Sequence, residues 1–193
     1  MAQAEPLHFM DAEEYLLFEQ QATVRHEFVN GLMIAMAGAS RRHNLLTLSL
    51  AALLRSHLKG TRCQVYASDM KVNASHKENR IFYYPDVMVA CNSYSKNRQD
   101  DYVENNPQII MDVLSPLTAV RDRMEKLAAY TALNSVKEYV LVDQEKIAVD
   151  IYQNAGMGWE VVRLSCMDDQ LCLPSVHFSA PLSTVYEDVM DAL

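Results

Sequence analysis

The sequence predicts an α/β fold, a mixed β-sheet flanked by helices. Two short runs, Tyr83–Cys91 and Pro107–Pro116, are nearly all apolar between turn formers, as strands buried on both faces are. Two segments, Ser40–Lys59 and Asp122–Asn134, carry apolar residues at helical spacing. Ile147–Gln153 and Trp159–Leu164 alternate as a hairpin added towards the C-terminus. With 193 residues, half of them hydrophobic, and no repeat or linker in view, residues 1–193 are expected to form a single domain.

In chain order, Asp11–Gln20 reads as a first helix with acids in its opening turn. Asn30-Gly31 is a strong turn signal and makes the segment from Glu27 to Met36 a strand or tight hairpin. Ser40 is placed to cap a helix that ends before Gly60. Cys63–Ala74 reads as one strand, with Asp69 inside it, followed by the polar turn Ser75–Arg80. The strand Tyr83–Cys91 comes next, and the polar run Asn92–Asn106 is expected to be a surface loop or lid. Pro116 ends the second apolar strand. After the Asp122–Asn134 helix come a strand at Lys137–Asp143, the hairpin and a closing helix over Leu182–Leu193.

Composition excludes several functions. No stretch approaches the ~20 apolar residues of a membrane span, and the N-terminus carries no signal-peptide pattern, so a cytoplasmic location is expected. Cys63, Cys91, Cys166 and Cys172 lack CxxC spacing, so free thiols rather than zinc ligands are expected. A net charge of −8 argues against a large basic nucleic-acid surface. It leaves room for local basic patches: Arg41, Arg42, Arg55, Lys59 and Arg62 in one segment, and Arg121, Arg123 and Lys126 in another.

Asp86 and Asp112 each sit alone in an apolar run. A buried lone carboxylate costs several kcal/mol (roughly) unless its charge is compensated. A bound cation compensates both acids if they converge on it. Mg2+ suits such a pair because it takes one or two carboxylates and keeps its waters. Lys126 then serves electrostatic and positioning roles, its ammonium form favoured by neighbouring acids. By spacing alone the same residues also fit a structural reading, with strand-end acids bound to loop backbone and Lys126 in a surface ion pair.

The segments Tyr84-Pro85-Asp86-Val87-Met88-Val89, Asp112-Val113-Leu114-Ser115-Pro116 and Asp122-Arg123 followed by Lys126 resemble the Uma2 family of endonucleases. Glu27-Phe28-Val29-Asn30-Gly31 and Glu138-Tyr139-Val140-Leu141-Val142-Asp143 extend the resemblance over most of the chain. It implies a restriction endonuclease-like, PD-(D/E)XK core, with Asp86 and Asp112 as the two acids and Glu27 as an additional acid. In two places the chain departs from the pattern. Asp112 stands where the family usually has Glu, and Leu114 stands where the general nuclease pattern has its lysine, a charge Lys126 would supply from the helix. His43 and Asp69 also resemble recurring positions and are read as supporting residues.

The expected function is therefore Mg2+-dependent DNA endonuclease, with Mn2+ as a substitute. Asp86, Asp112 and Lys126 are its catalytic residues, and Glu27, Asp86 and Asp112 its metal ligands. A homodimer is expected, since cutting both strands of a duplex needs two sites related by a two-fold axis. The alternative is a non-enzymatic module that keeps the nuclease fold for nucleic-acid or protein binding.

Overall fold

The computed structural model describes residues 9–91, 101–116 and 118–192. The expected loop or lid at Asn92–Asn106 falls partly outside these residues. Helix α1 (Ala12–Gln21) starts at a reciprocal capping box. The Asp11 carboxylate accepts from the N–H groups of Glu13 and Glu14, and Glu14 accepts from the Asp11 N–H. Strands β1 (His26–Val29) and β2 (Leu32–Ala35) form the hairpin signalled by Asn30-Gly31. Both turn residues lie at positive φ, 48° and 95°, as a tight two-residue hairpin turn requires. Helix α2 (Arg41–His57) begins where the Ser40 hydroxyl accepts from the His43 N–H. It buries Leu46, Leu50 and Leu54 along one side.

Two apolar runs that read as single strands are each broken in two. Cys63–Ala74 divides into β3 (Cys63–Ala67) and β4 (Lys71–Asn73) at Ser68, whose φ of 57° takes the chain out of the extended region. Tyr83–Cys91 divides into β5 (Ile81–Tyr83) and β6 (Val87–Cys91), because Pro85 has no N–H to donate to a ladder. Each break carries the chain from one sheet to another, and Asp86 lies in the second crossing rather than inside a strand.

The chain continues through β7 (Val103–Glu104) and β8 (Ile109–Leu114). A helix follows in three parts: α3 (Ala119–Arg121), a π-helical turn (Asp122–Lys126) and α4 (Leu127–Thr131). It starts and ends earlier than the sequence pattern indicates. Strands β9 (Glu138–Asp143), β10 (Val149–Asn154) and β11 (Trp159–Leu164) come next. A further hairpin, β12 (Gln170–Leu173) and β13 (Phe178–Pro181), precedes α5 (Leu182–Val185) and a final 3-10 turn (Glu187–Ala192).

The expected single sheet is three. One has the order β2-β1-β5-β4-β7, one β11-β10-β9-β8-β6-β3, and β12-β13 stand apart. Parallel pairs (β8 with β9, β4 with β7) among antiparallel ones make the larger sheets mixed. The β10–β11 hairpin is the outer edge of the six-stranded sheet rather than an appendage. Alternation gives that sheet two interiors. Val87, Met111, Val113, Val140 and Val142 pack under Leu46, Leu50 and Leu54 of α2. Met88, Ile110, Leu114, Tyr139 and Leu141 pack with Tyr83 and Tyr130 on the other side.

The cysteines correct the expectation of free thiols. Cys63 and Cys91 are paired residues of the antiparallel β3–β6 ladder and are joined by a disulfide. Cys166 and Cys172 are free and exposed. Among the described residues no helix is long and apolar enough to cross a membrane.

Candidate active site

The six-stranded sheet meets the five-stranded one where the chain crosses at Tyr84-Pro85-Asp86. This crossing is held from several sides. The Tyr84 N–H donates to Glu27 Oε1 at 3.4 Å and the Tyr84 hydroxyl to Glu19 Oε1 at 2.9 Å. The Ser68 N–H donates to the Asp86 carbonyl at 3.1 Å, tying the two crossings together. The Asp86 carboxylate reaches over β8, where Oδ2 accepts from the Val113 N–H at 2.7 Å. The β6–β8 register pairs Val87 with Met111; continued by one residue it sets Asp86 opposite Asp112. His43, in the first turn of α2, places Nε2 3.3 Å from Asp86 Oδ2. Burial alone would lower the His43 pKa, but the hydrogen bond and charge of Asp86 raise it overall. His43 is thus a neighbour of an acid rather than an ordinary surface histidine.

Asp112 points into the tyrosine-lined interior and is 2% exposed. Its Oδ2 accepts from the Tyr139 hydroxyl at 2.7 Å, and its Oδ1 lies 3.6 Å from Lys126 Nζ. The ammonium also lies 3.2 Å from Glu27 Oε1 and 3.2 Å from Asp122 Oδ1. Lys126 is therefore buried among three carboxylates, which replaces the surface ion pair of the structural reading. Burial by itself would lower its pKa; Asp112, Glu27 and Asp122 outweigh this and hold it above the ordinary lysine value. Burial likewise pushes Asp112 up to about 7, against the pull of Lys126. Glu27 has both oxygens engaged, Oε2 by Arg121 Nη1 and Oε1 by Lys126.

The π turn makes that double grip feasible. Residues five apart on an α-helix are about 140° out of line around the axis. Bonding from the Leu127 N–H back to the Asp122 carbonyl widens the turn, and Arg121 and Lys126 reach the two oxygens of one carboxylate. Both cations also lie over the Tyr83 ring, at 5.3 and 5.6 Å from its centroid.

Glu27, Asp112 and Lys126 thus meet directly, and Asp86 joins them across the β6–β8 ladder. Asp69 does not: it is exposed and pairs with Arg25 at 3.5 Å. The basic segment of α2 is solvent-facing, with Arg42 bound to Glu145 at 3.0 Å, while Arg123 is taken by Asp150. Three contributors were missed as site residues. Arg121 was read only as part of a basic patch and Asp122 only as part of the family-like motif, although Asp122 and Lys126 share i,i+4 spacing. Tyr139 carried a fainter signal: a tyrosine inside a buried strand needs a partner for its hydroxyl.

A hard cation needs carboxylate oxygens that are not already taken. Asp86 and Asp112 each have one oxygen committed to a protein donor, and Asp86 Oδ1 meets no donor among the described residues. Asp86 thus has a free oxygen, and Asp112 Oδ1 has only the loose 3.6 Å contact with Lys126; such a pair fits Mg2+, which retains waters. Among the described residues no three His, Cys, Asp or Glu side chains gather into a metal cage, so a site closed by protein ligands alone does not fit. Buried polar atoms without hydrogen-bond partners also cluster here: Asp122 Oδ1 (in ion-pair contact only), Arg121 Nη2 and the Tyr130 hydroxyl. Such atoms suit a site that takes up water or ligand.

Comparison with known proteins places these residues in a wider group. A family model described as Uma2, putative restriction endonuclease, matches residues 12–183. The Synechocystis protein sll1609 is 35% identical over 147 residues, spanning 76% of this chain and 82% of its own length. Another Synechocystis protein, slr1290, is 29% identical over 182 residues, 94% of this chain and 93% of its own. A crystal structure from Anabaena variabilis, of a putative nuclease belonging to DUF820, superposes with a TM-score of 0.71 at 15% identity. That alignment covers 92% of this chain and 98% of the other.

Proposed function

This chain belongs to the Uma2 family of restriction endonuclease-like fold, and from that premise we propose that it is a Mg2+-dependent DNA endonuclease. One observation carries the reading: a buried ammonium held 3.6 Å from Asp112, beside a second acid, Asp86, at the junction of two sheets. In this reading Asp86 and Asp112 hold the cation. An ion held by these two acids would supply Lewis-acid polarisation of a phosphoryl oxygen and a water of lowered pKa.

The chain's own residues do the rest. Lys126 stays protonated, so it acts as fixed positive charge against the charge that develops on the phosphoryl group, not as a base. Glu27 keeps Lys126 and Arg121 in place; its oxygens are engaged with them, which makes it a positioning acid rather than a ligand. Tyr139 fixes the orientation of Asp112, and His43 that of Asp86. The general nuclease pattern's lysine position is Leu114, so the positive charge comes from the helix.

The test is nicking of supercoiled plasmid with Mg2+ or Mn2+ by wild type, Asp86→Ala and Asp112→Ala. Metal-dependent nicking that disappears in both variants is the expected result. Equal activity in all three removes the residue assignment. A second reading, a binding module without catalysis, draws on the ion pairs that already neutralise Glu27. It predicts duplex binding without cleavage by the wild type under every metal condition.

A further inference from the structure

Alternation along β1 turns Glu27 towards Lys126 and His26 the other way, where a second buried polar group is built. Glu19 of α1 is fully buried there. Its Oε1 accepts from the His26 N–H at 2.8 Å and from the Tyr84 hydroxyl at 2.9 Å, and its Oε2 lies 3.0 Å from His26 Nδ1. Lys71, on β4, is 4% exposed and donates from Nζ to the Tyr84 hydroxyl at 3.2 Å. One phenol oxygen thus donates to a carboxylate and accepts from a lysine. Burial, with the hydrogen bond and charge of Glu19, holds the Tyr84 pKa well above the ordinary tyrosine value, so the hydroxyl remains a donor.

This group bears on the approach to Asp86. Tyr84 is held at both ends, its N–H on Glu27 Oε1 at 3.4 Å and its hydroxyl between Lys71 and Glu19. Pro85 follows with its φ locked, and it confines Tyr84 to extended backbone. Few soft torsions are left between the anchored ring and Asp86. The Asp86 carboxylate must in turn reach the Val113 N–H, 2.7 Å away on β8.

We infer that Tyr84 is a positioning residue for Asp86, its hydroxyl pinned between Lys71 and Glu19 on the side of the sheet away from Lys126. Resting on the endonuclease reading, three side chains that touch neither cation nor phosphate then help to set how well Asp86 holds the cation. Outer partners of metal ligands commonly change metal affinity by roughly tenfold or more.

Hydrogen exchange of the Val113 amide, followed by NMR without metal or nucleic acid, reads the Asp86 hydrogen bond directly. Tyr84→Phe removes one oxygen and leaves the ring. It should speed Val113 exchange at least roughly tenfold relative to the amides of β9, which report overall stability. The double variant Tyr84→Phe/Lys71→Met, which leaves no lysine without its partner, should show the same loss. Glu19→Gln keeps an oxygen for the hydroxyl and should retain most of the Val113 protection. In plasmid nicking, Tyr84→Phe should raise the Mg2+ concentration for half-maximal rate about tenfold and leave the rate at saturating Mg2+ close to wild type. Val113 exchange in Tyr84→Phe that equals wild type, or that rises only in step with β9, overturns the inference. So does recovery in the double variant, which assigns the effect to the stranded lysine. An unchanged Mg2+ requirement in a nicking Tyr84→Phe also overturns it. A wild type that does not nick removes the endonuclease reading alone, and Val113 exchange then decides the positioning by itself.

Discussion

The same two strands, β8 and β9, line both interiors of the six-stranded sheet, and the two sides are built on opposite rules. Towards α2 they present Met111, Val113, Val140 and Val142 to leucines in an apolar cluster. Towards the π-containing helix they present Asp112 and Tyr139, one residue out of phase, to Lys126 and to further tyrosines. The first side rests mainly on volume and fit, with the Tyr186 hydroxyl bonded to backbone carbonyls and the Thr47 hydroxyl buried without a partner as its few polar atoms. The polar side is satisfied through a few named partners, so each loss there strands a charge. Stability is spread over the first side, while chemistry is concentrated on the second.

The largest break in this contrast is Lys126→Ala. It leaves Glu27, Asp112 and Asp122 buried with one cation fewer, and it should cost about 4 kcal/mol in urea unfolding. On the first side, Leu50→Ala removes a fully buried side chain and should cost about 3 kcal/mol. The nicking rate per folded molecule should be unchanged, and a Leu50→Ala variant that loses nicking while folded would erase the distinction between the two sides. The smallest effect is pH dependence. Asp112 has its folded pKa raised from 3.8 to about 7, so the native state binds this proton more tightly than the unfolded chain does. The resulting stabilisation is complete below about pH 4 and fades as pH rises through about 7. In metal-free urea titrations at pH 5 and pH 8, the wild type should lose more stability on going to pH 8 than Asp112→Asn does. An identical difference in both proteins would show that Asp112 is ionised throughout.

Local chemistry made much of the fold legible. Asp11, Ser40 and Asn30-Gly31 mark their elements because each satisfies or bends backbone within a few residues. The crossings at Ser68 and Pro85 were not legible as changes of sheet, since an apolar run looks the same whether it stays in one sheet or passes to another. The Cys63–Cys91 bond depends on β3 and β6 being neighbours, which residue spacing does not reveal. The hairpin β12–β13 was overlooked because its strands are short and Pro174 lies between them. In the cluster, Glu27, Asp86, Asp112 and Lys126 had been singled out as candidates from the sequence, while the hold of Arg121 on Glu27 spans 94 positions and follows only from tertiary packing.

The π turn lets this cluster absorb a change of one residue in length. Deleting one residue between Arg121 and Lys126 could leave every named side chain present. The helix would then return to its ordinary winding with Arg121 and the lysine four residues apart, about 40° out of line and still on one side of the helix. Both oxygens of Glu27 would keep a cation on their side of the helix, because the π turn accommodates one residue more than an α turn would. A one-residue gap at this point in a related chain is therefore compatible with the same cluster built on an unbroken α-helix.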